Sequence, residues 1–325
     1  MKIKLATFNL YQFVEPPYSW YTKKEKFKNE QWHEKTTWIK NQIIKMDCDI
    51  IGFQEVFSKK ALEKLLKELG FNYFETVEVA KLNKKTYIST TVAIASKYPI
   101  TKMQRVKVNI PSLKKHNFTS PFTFARVPIK ATITLPNKQE LLVYVAHLKS
   151  NRDNEFEYIF NKEHDLEHKK EVVSKALEGT SATSLQQRLC EASSLFVNMK
   201  RVKDKPIAVL CDFNDKEFSL TIDALSNPKY HNDKSEEDLL LYDASYQYKE
   251  IIENPHPEAK EPKRKATSYF LGRGNVLDYI FISNHFQVNH YAVLDEHLHE
   301  HGNDLLLQSD HAQVVCELTI KEEIS

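Results

Sequence analysis

Six apolar segments of this sequence meet side chains that can bind a cation or move a proton. Asn9 follows Lys4-Leu5-Ala6-Thr7-Phe8, and Glu55 follows Ile50-Ile51-Gly52-Phe53-Gln54. His147 ends Val143-Tyr144-Val145-Ala146, while Asp212 and Asn214 end Ile207-Ala208-Val209-Leu210 beyond Cys211. Asp310-His311 stands just ahead of Ala312-Gln313-Val314-Val315, and Asp278 begins Asp-Tyr-Ile-Phe-Ile. A lone acid at a strand end reads as a turn, because Asn and Asp are ordinary turn residues. Six such places read differently: strand ends that converge gather carboxylates, amides and imidazoles in one cleft. Hard oxygen donors such as Glu55, Asp310 and the Asn9 amide suit Mg²⁺ or Mn²⁺, and no Cys/His cluster suggests structural zinc. Mg²⁺ held by one or two carboxylates and water engages a phosphate oxygen. Two histidines with a carboxylate supply a base, an acid and an orienting partner. The set predicts metal-assisted phosphoester hydrolysis.

The elements that position these residues are legible as alternating patterns. Strands are expected at 2–8, 50–53, 91–95, 127–135, 141–146, 207–210, 278–282 and 313–320, several with apolar residues at every second position. Helical faces lie between them: Ile39, Ile43 and Met46; Leu62, Leu65, Leu66 and Leu69; and Leu185, Leu189, Ala192, Phe196 and Met199. The last is opened by Ser184 with Gln187 three residues on, a capping-box pattern. Six glycines and no Gly/Ser linker leave nothing to divide the chain, so a single domain over 1–325 is expected. A charged insertion at about 151–183, helix-compatible over 156–177, interrupts two core-like elements, and such insertions either shape a binding site or run over the surface.

With 41% hydrophobic residues over 325 positions, the chain can bury a substantial core. Forty-six basic against 44 acidic residues give +2, a total that does not indicate a strongly basic nucleic-acid binder and leaves local patches open. Cys48, Cys190, Cys211 and Cys316 are scattered in or beside apolar runs, so buried thiols are expected rather than a disulfide framework. The start MKIKLATFNL lacks a secretory pattern and no apolar run spans a membrane, so a soluble cytoplasmic protein is expected.

The ordered set TFNL, GFQEVF, AHLKSNR, LCDFND, LDYIFIS and SDH resembles the endonuclease/exonuclease/phosphatase superfamily, the DNase I-like group. That group includes DNase I-like nucleases, abasic-site endonucleases, inositol polyphosphate phosphatases and bacterial sphingomyelinases. The resemblance runs from Thr7 to His311, and VAIASKYPI, FARVPIKATI and TSYF add secondary marks. It implies a four-layer α/β sandwich of two packed, mostly antiparallel sheets flanked by helices. It also implies roles. Asn9 and Glu55 bind the metal, with Asp310 as an additional ligand. Asp212 orients or deprotonates the attacking water, and Asn214 holds the phosphate. His311, oriented by Asp278, contacts the phosphate or acts as base. His147 stabilises the transition state or assists the leaving oxygen, and Asn151 and Arg126 are substrate-binding candidates. Cys211 departs from the group's usual glycine before the aspartate, and a packed thiol is the expectation there.

Three further features read as structure. His297, His299 and His301 alternate and suit a solvated loop or helix, with a metal site the alternative. Lys263-Arg264-Lys265 suits a solvated charged surface, with contact to a substrate phosphate backbone the alternative. Trp20, Trp32 and Trp38 suit core or lid packing. For the substrate, a phosphodiester such as DNA or RNA leads, because AHLKSNR resembles the HLKS form of several bacterial nucleases. A phosphomonoester, a sphingomyelin-like phospholipid, or no substrate at all in a binding module are the alternatives. No protein partner is inferable, and no apolar hairpin for membrane docking is evident.

Overall fold

The computed structural model describes residues 1–116, 122–151, 159–178, 183–231, 239–248, 264–270, 272–298 and 307–321. Two six-stranded sheets dominate. The first runs β16 (Phe286–Leu294), β17 (Gln313–Ile320), β1 (Lys2–Phe13), β3 (Ile50–Val56), β7 (Thr91–Ser96) and β4 (Tyr73–Glu75). The second runs β12 (Leu241–Asp243), β15 (Asp278–Ser283), β11 (Ile207–Asp212), β10 (Glu140–His147), β9 (Ile129–Thr134) and β8 (Ile100–Arg105). Within each sheet only the central pair is parallel, β1 with β3 and β10 with β11. Every other neighbouring pair is antiparallel.

Strand parity decides what each face buries. Ile3 and Leu5 of β1, Val143 and Val145 of β10, Ala208 and Leu210 of β11, and Ile280 and Ile282 of β15 share the core between the sheets. The sheets approach closely there: a Cβ on Gly52 would lie 2.8 Å from the Leu210 Cβ and 3.1 Å from Val145. On the outer face of the first sheet, Phe8, Ile51 and Phe53 pack under α1 (Asn29–Met46) and α2 (Lys59–Glu68). On the outer face of the second, Tyr144, Val209, Cys211 and Phe281 pack under α5 (Thr183–Lys200), α4 (Leu166–Glu178) and α6 (Leu220–Ser226). The result is helix, sheet, sheet, helix, as expected. The short helices α3 (Ile110–Lys115) and α7 (Ala244–Gln247) complete the rim. So do the hairpin β13 (Ser268–Phe270) with β14 (Arg273–Asn275) and the ladder β2 (Ser19–Trp20), β6 (Thr86–Tyr87) and β5 (Leu82–Asn83).

Differences from the sequence reading have local causes. The insertion's helix begins at Leu166, because Asp165 caps it by accepting the His168 N–H at 2.8 Å. Phe160 and Val173 tie it to the outer core, so its described part is packed and not a loose excursion; residues 152–158 and 179–182 lie outside the described set. Helix α5 starts one residue before Ser184, which is buried in its first turn. Among the basic run, Arg264 is not a surface charge: it bonds Asp243 at 2.7 Å and Glu217 at 2.9 Å. Lys265 pairs with Asp295 at 2.7 Å, and Lys263 lies outside the described residues. The tryptophans pack as expected, Trp20 on Phe27, Trp32 on Phe13 and Trp38 on Phe8.

Candidate active site

The residues at the strand ends extend the inter-sheet faces. Asn9 has the parity of Leu5, His147 of Val145, Asp212 of Leu210, and Asp278 of Ile280, so each side chain emerges where the two sheets part. Register puts His147 opposite Asp212 and Asp212 opposite Asp278. All four are buried, with exposures of 2% or less. Parity alone would send Glu55 to the helix side with Phe53. The chain corrects this with an irregularity between Phe53 and Val56 and a left-handed backbone at Glu55, φ 58°. Across from it, Tyr11 and Gln12 are also left-handed, φ 48° and 60°, and the Gln12 N–H donates to Glu55 Oε2 at 2.8 Å. Asn214, φ 50°, completes a cluster of backbone conformations that non-glycine residues rarely adopt.

One carboxylate oxygen organises the centre. Asp212 Oδ2 accepts from Asn9 Nδ2 at 2.9 Å, with His147 Nε2 at 3.3 Å and His311 Nε2 at 4.0 Å. Asp212 Oδ1 takes the Asn214 N–H at 2.8 Å. The His311 Nδ1–H donates to Asp278 Oδ2 at 2.7 Å, which leaves Nε2 facing Asp212 and, also at 4.0 Å, Asp310 Oδ1. Four ångströms is too long for a direct hydrogen bond and suits one bridging oxygen. Secondary contacts lock this frame. Ser309 Oγ donates to the Asn9 carbonyl at 2.7 Å and accepts the His311 N–H at 3.1 Å. Thr267 Oγ1 accepts the Asp278 N–H at 3.1 Å.

Burial and charge tune these groups. Burial pushes the Asp212 carboxyl up to about 7, against the pull of His311. Burial opposes the charge on His311, yet Asp278, Asp212 and Asp310 outweigh it and hold the imidazole well above its usual range. Burial, with Arg126 and His311 nearby, drives His147 well below that range. Asp310 is raised to about 6 by burial and by the Glu55 carboxylate. A site with one imidazole charged, one neutral and an aspartate titrating near neutrality separates acid from base.

Three enclosed polar atoms of the site lack a hydrogen-bond partner among the described residues: Asp310 Oδ1, Asp278 Oδ1 and His147 Nδ1. Asp310 Oδ1, without a hydrogen bond, therefore offers a hard oxygen to a cation, and the Glu55 carboxylate, whose Oε2 accepts the Gln12 N–H, is a second hard donor. Asn9 spends its amide N on Asp212 and its oxygen on the Tyr11 N–H at 3.0 Å, leaving one lone pair of that oxygen. Asp212, Asp278 and His311 also cluster within metal-ligating distance. Within that trio His311 and Asp278 already hydrogen-bond to one another at 2.7 Å, an arrangement that can pass a proton. Asn9, Glu55 and Asp310 are the candidate cation ligands outside that trio.

The other candidates sit further out. Arg126 Nη1 donates to the Leu148 carbonyl at 2.9 Å, and Asn214 Nδ2 donates to the same oxygen at 3.1 Å. Asn151 is exposed, lines a small pocket with Asp215 and Lys216, and makes no hydrogen bond among the described residues. Cys211 faces the helix layer, fully buried, its thiol pushed far up by burial, so it packs as expected. His297 donates to the His311 carbonyl at 3.0 Å and lies edge-on against Trp38; His299 and His301 are outside the described residues.

Lys35 and Asp215 lie outside the residues singled out in the sequence. Lys35, fully buried, donates to the Gln308 carbonyl at 2.7 Å beneath the Asp310 loop, and burial lowers it to about 7 against the pull of Asp310 and Glu55. Its signal was present: Lys35 continues the Ile39, Ile43, Met46 face one turn earlier. Asp215, a residue type that suits a turn, accepts from buried Arg188 Nε at 3.1 Å and Thr221 Oγ1 at 2.6 Å.

The sequence profile described as the Endonuclease/Exonuclease/phosphatase family matches residues 6–311. The chain belongs to that family. Family members are phosphoester hydrolases that generally use a divalent metal. No curated protein matches the sequence closely enough to count as a relative. Solved structures of the family share the fold at low identity. The human Nocturnin catalytic domain with bound sulfate is 17% identical, with 98% of this chain and 94% of that one covered at a TM-score of 0.58. D. rerio TDP2 complexed with a single-strand DNA product is 12% identical, with 98% and 99% covered at 0.57. The mannosyl-6-phosphatase of Bacteroides thetaiotaomicron is 16% identical, with 98% and 100% covered at 0.54.

Proposed function

We propose that this family member is a Mg²⁺- or Mn²⁺-dependent phosphodiesterase acting by in-line water attack, with nucleic acid as the leading substrate. The observation that carries the reading is the line Asp278–His311···Asp212, with a 4.0 Å gap between His311 Nε2 and Asp212 Oδ2 where a reacting oxygen fits. Asp212, titrating near 7, accepts the proton of the attacking water. His311, held protonated by three carboxylates, stabilises charge on a phosphoryl oxygen. His147 Nε2 and the Asn9 amide fix the Asp212 carboxylate, and Asn214 lies beside it for a second phosphoryl oxygen. Glu55 and Asp310 would hold the cation, which when bound supplies Lewis-acid polarisation of the phosphate. Both imidazoles and a desolvated aspartate exceed what a binding module requires.

A lipid phosphodiester is the second reading, and one observation favours it. The β13–β14 hairpin bridges to His311 through Ser268 and carries Phe270 at 61% exposure. One exposed aromatic therefore stands two residues from the Ser268–His311 bridge. No helix among the described residues is long and apolar enough to cross a membrane. A hydrolysis panel with Mg²⁺, Mn²⁺ and EDTA decides, spanning duplex and single-stranded DNA, RNA, sphingomyelin, an activated diester and an activated monoester. Activity on monoesters alone would overturn the phosphodiesterase reading.

A further inference from the structure

Helix α5 carries two opposite charges one turn apart, Arg188 and Glu191, with exposures of 0% and 1%. Burying charge inside a helix layer is costly, and a buried pair adds little stability over an apolar replacement. Their contacts point elsewhere. Glu191 Oε2 accepts the Lys149 N–H at 2.8 Å, and Arg188 Nη1 donates to the Lys149 carbonyl at 3.3 Å. A single residue's backbone is thus gripped at both ends, two positions after His147. Arg188 Nε also holds Asp215, the residue after Asn214, and Glu191 Oε1 accepts the Ala125 N–H at 2.7 Å, beside Arg126.

Those three gripped segments meet at one atom. The Leu148 carbonyl, just before the gripped backbone, accepts from Arg126 Nη1 and Asn214 Nδ2, while the Leu148 N–H donates to the Asp212 carbonyl at 3.1 Å. The loops leaving the parallel pair β10 and β11, which present His147, Asp212 and Asn214, therefore have their backbones set from beneath by α5. Tyr279 adds a bond from its hydroxyl to the Asp215 carbonyl at 3.1 Å.

We propose that Arg188 and Glu191 are positioning residues: an ionic clamp on the Lys149 backbone and on Asp215 that holds His147 and Asn214 in reacting geometry. The proposal rests on the hydrolase reading for its kinetic consequence, and on backbone geometry alone for its structural one. Small misplacements at a reacting centre cost rate more than binding.

The test compares Arg188→Lys, Glu191→Gln and a control, Leu225→Ala, which opens a cavity in the same buried layer at the far end of α6. Arg188→Lys keeps the charge and loses the fork that reaches two acceptors. With an activated diester and saturating Mg²⁺, kcat is expected to fall about tenfold or more in Arg188→Lys at nearly unchanged KM, and less in Glu191→Gln, which keeps one acceptor. Leu225→Ala is expected to lower the thermal midpoint and leave kcat unchanged. Amide exchange at Lys149, whose N–H donates to Glu191 Oε2, is expected to accelerate in Glu191→Gln and not in the control, followed by mass spectrometry or NMR. Wild-type kcat in Arg188→Lys, or unchanged Lys149 exchange in Glu191→Gln, would overturn the clamp. If the wild-type protein hydrolyses no phosphoester, the hydrolase reading fails on its own, and Lys149 exchange still decides the clamp.

Discussion

Replacing Asp212 by Asn is expected to abolish turnover and yet stabilise the metal-free protein at pH 8. The carboxylate is fully desolvated, and its rise from 3.8 to about 7 measures a cost of keeping it ionised in the fold. A rise of that size corresponds to about 4 kcal/mol at a pH above both values. The substitution gives some of that back. Asn9 Nδ2, with its own oxygen committed to Tyr11, loses its acceptor at a cost of about 1–3 kcal/mol. His147 loses less, because its unpartnered Nδ1 lets it change tautomer and accept at Nε2. The balance is a gain of about 2 kcal/mol, or roughly 3 °C in Tm for a chain this long.

The sign depends on pH. A carboxyl with a raised folded value contributes stability fully present below 3.8 and lost as pH rises through about 7. The advantage of the Asp212→Asn variant should therefore appear above pH 7, shrink through pH 6 and 5, and vanish or reverse near pH 4. Calorimetry or urea unfolding in EDTA across this range measures it. A variant less stable than wild type at pH 8 would refute the claim that Asp212 is held ionised against its environment. Stability exchanged for a functional charge is the pattern expected of a preorganised site.

Other outcomes follow from the same geometry. Asp278→Asn removes the carboxylate that holds the His311 proton, so the acidic form should be lost at lower pH and kcat should fall by about 10²- to 10⁴-fold, read from the pH–rate profile. Glu55→Gln and Asp310→Asn should each weaken Mg²⁺ binding by about tenfold or more in calorimetric titration, with the fold intact. Asn214→Gly should be better tolerated for stability than Asn214→Ala, because φ is 50° there, by about 1 kcal/mol in urea unfolding. Cys211 should resist iodoacetamide in the folded protein, and Cys211→Ser should retain activity.

Much of this arrangement was legible in the sequence because strand parity is simple. Val143 and Val145 point to the inter-sheet core, so His147 must follow them, and the same count places Asp212 after Leu210. Edge strands were not legible: β8 and β16 interleave polar residues along largely solvated faces, so neither reads as a core strand. Lys35 and Arg188 were passed over because charge on a helix normally means surface; both instead occupy positions of the buried stripe. The left-handed turn that re-aims Glu55 has no local signature, since neither Gln54 nor Val56 favours it. Asp215 reads as a turn until the partner from α5 is in place.

The most direct test of the central claim is the hydrolysis of an activated aryl phosphodiester by wild type and Asp212→Asn, each with Mg²⁺ and with EDTA. Turnover by the wild type with Mg²⁺ alone, rising with pH through the Asp212 titration, is the expected result. Equal turnover in EDTA, or in Asp212→Asn with Mg²⁺, would contradict it.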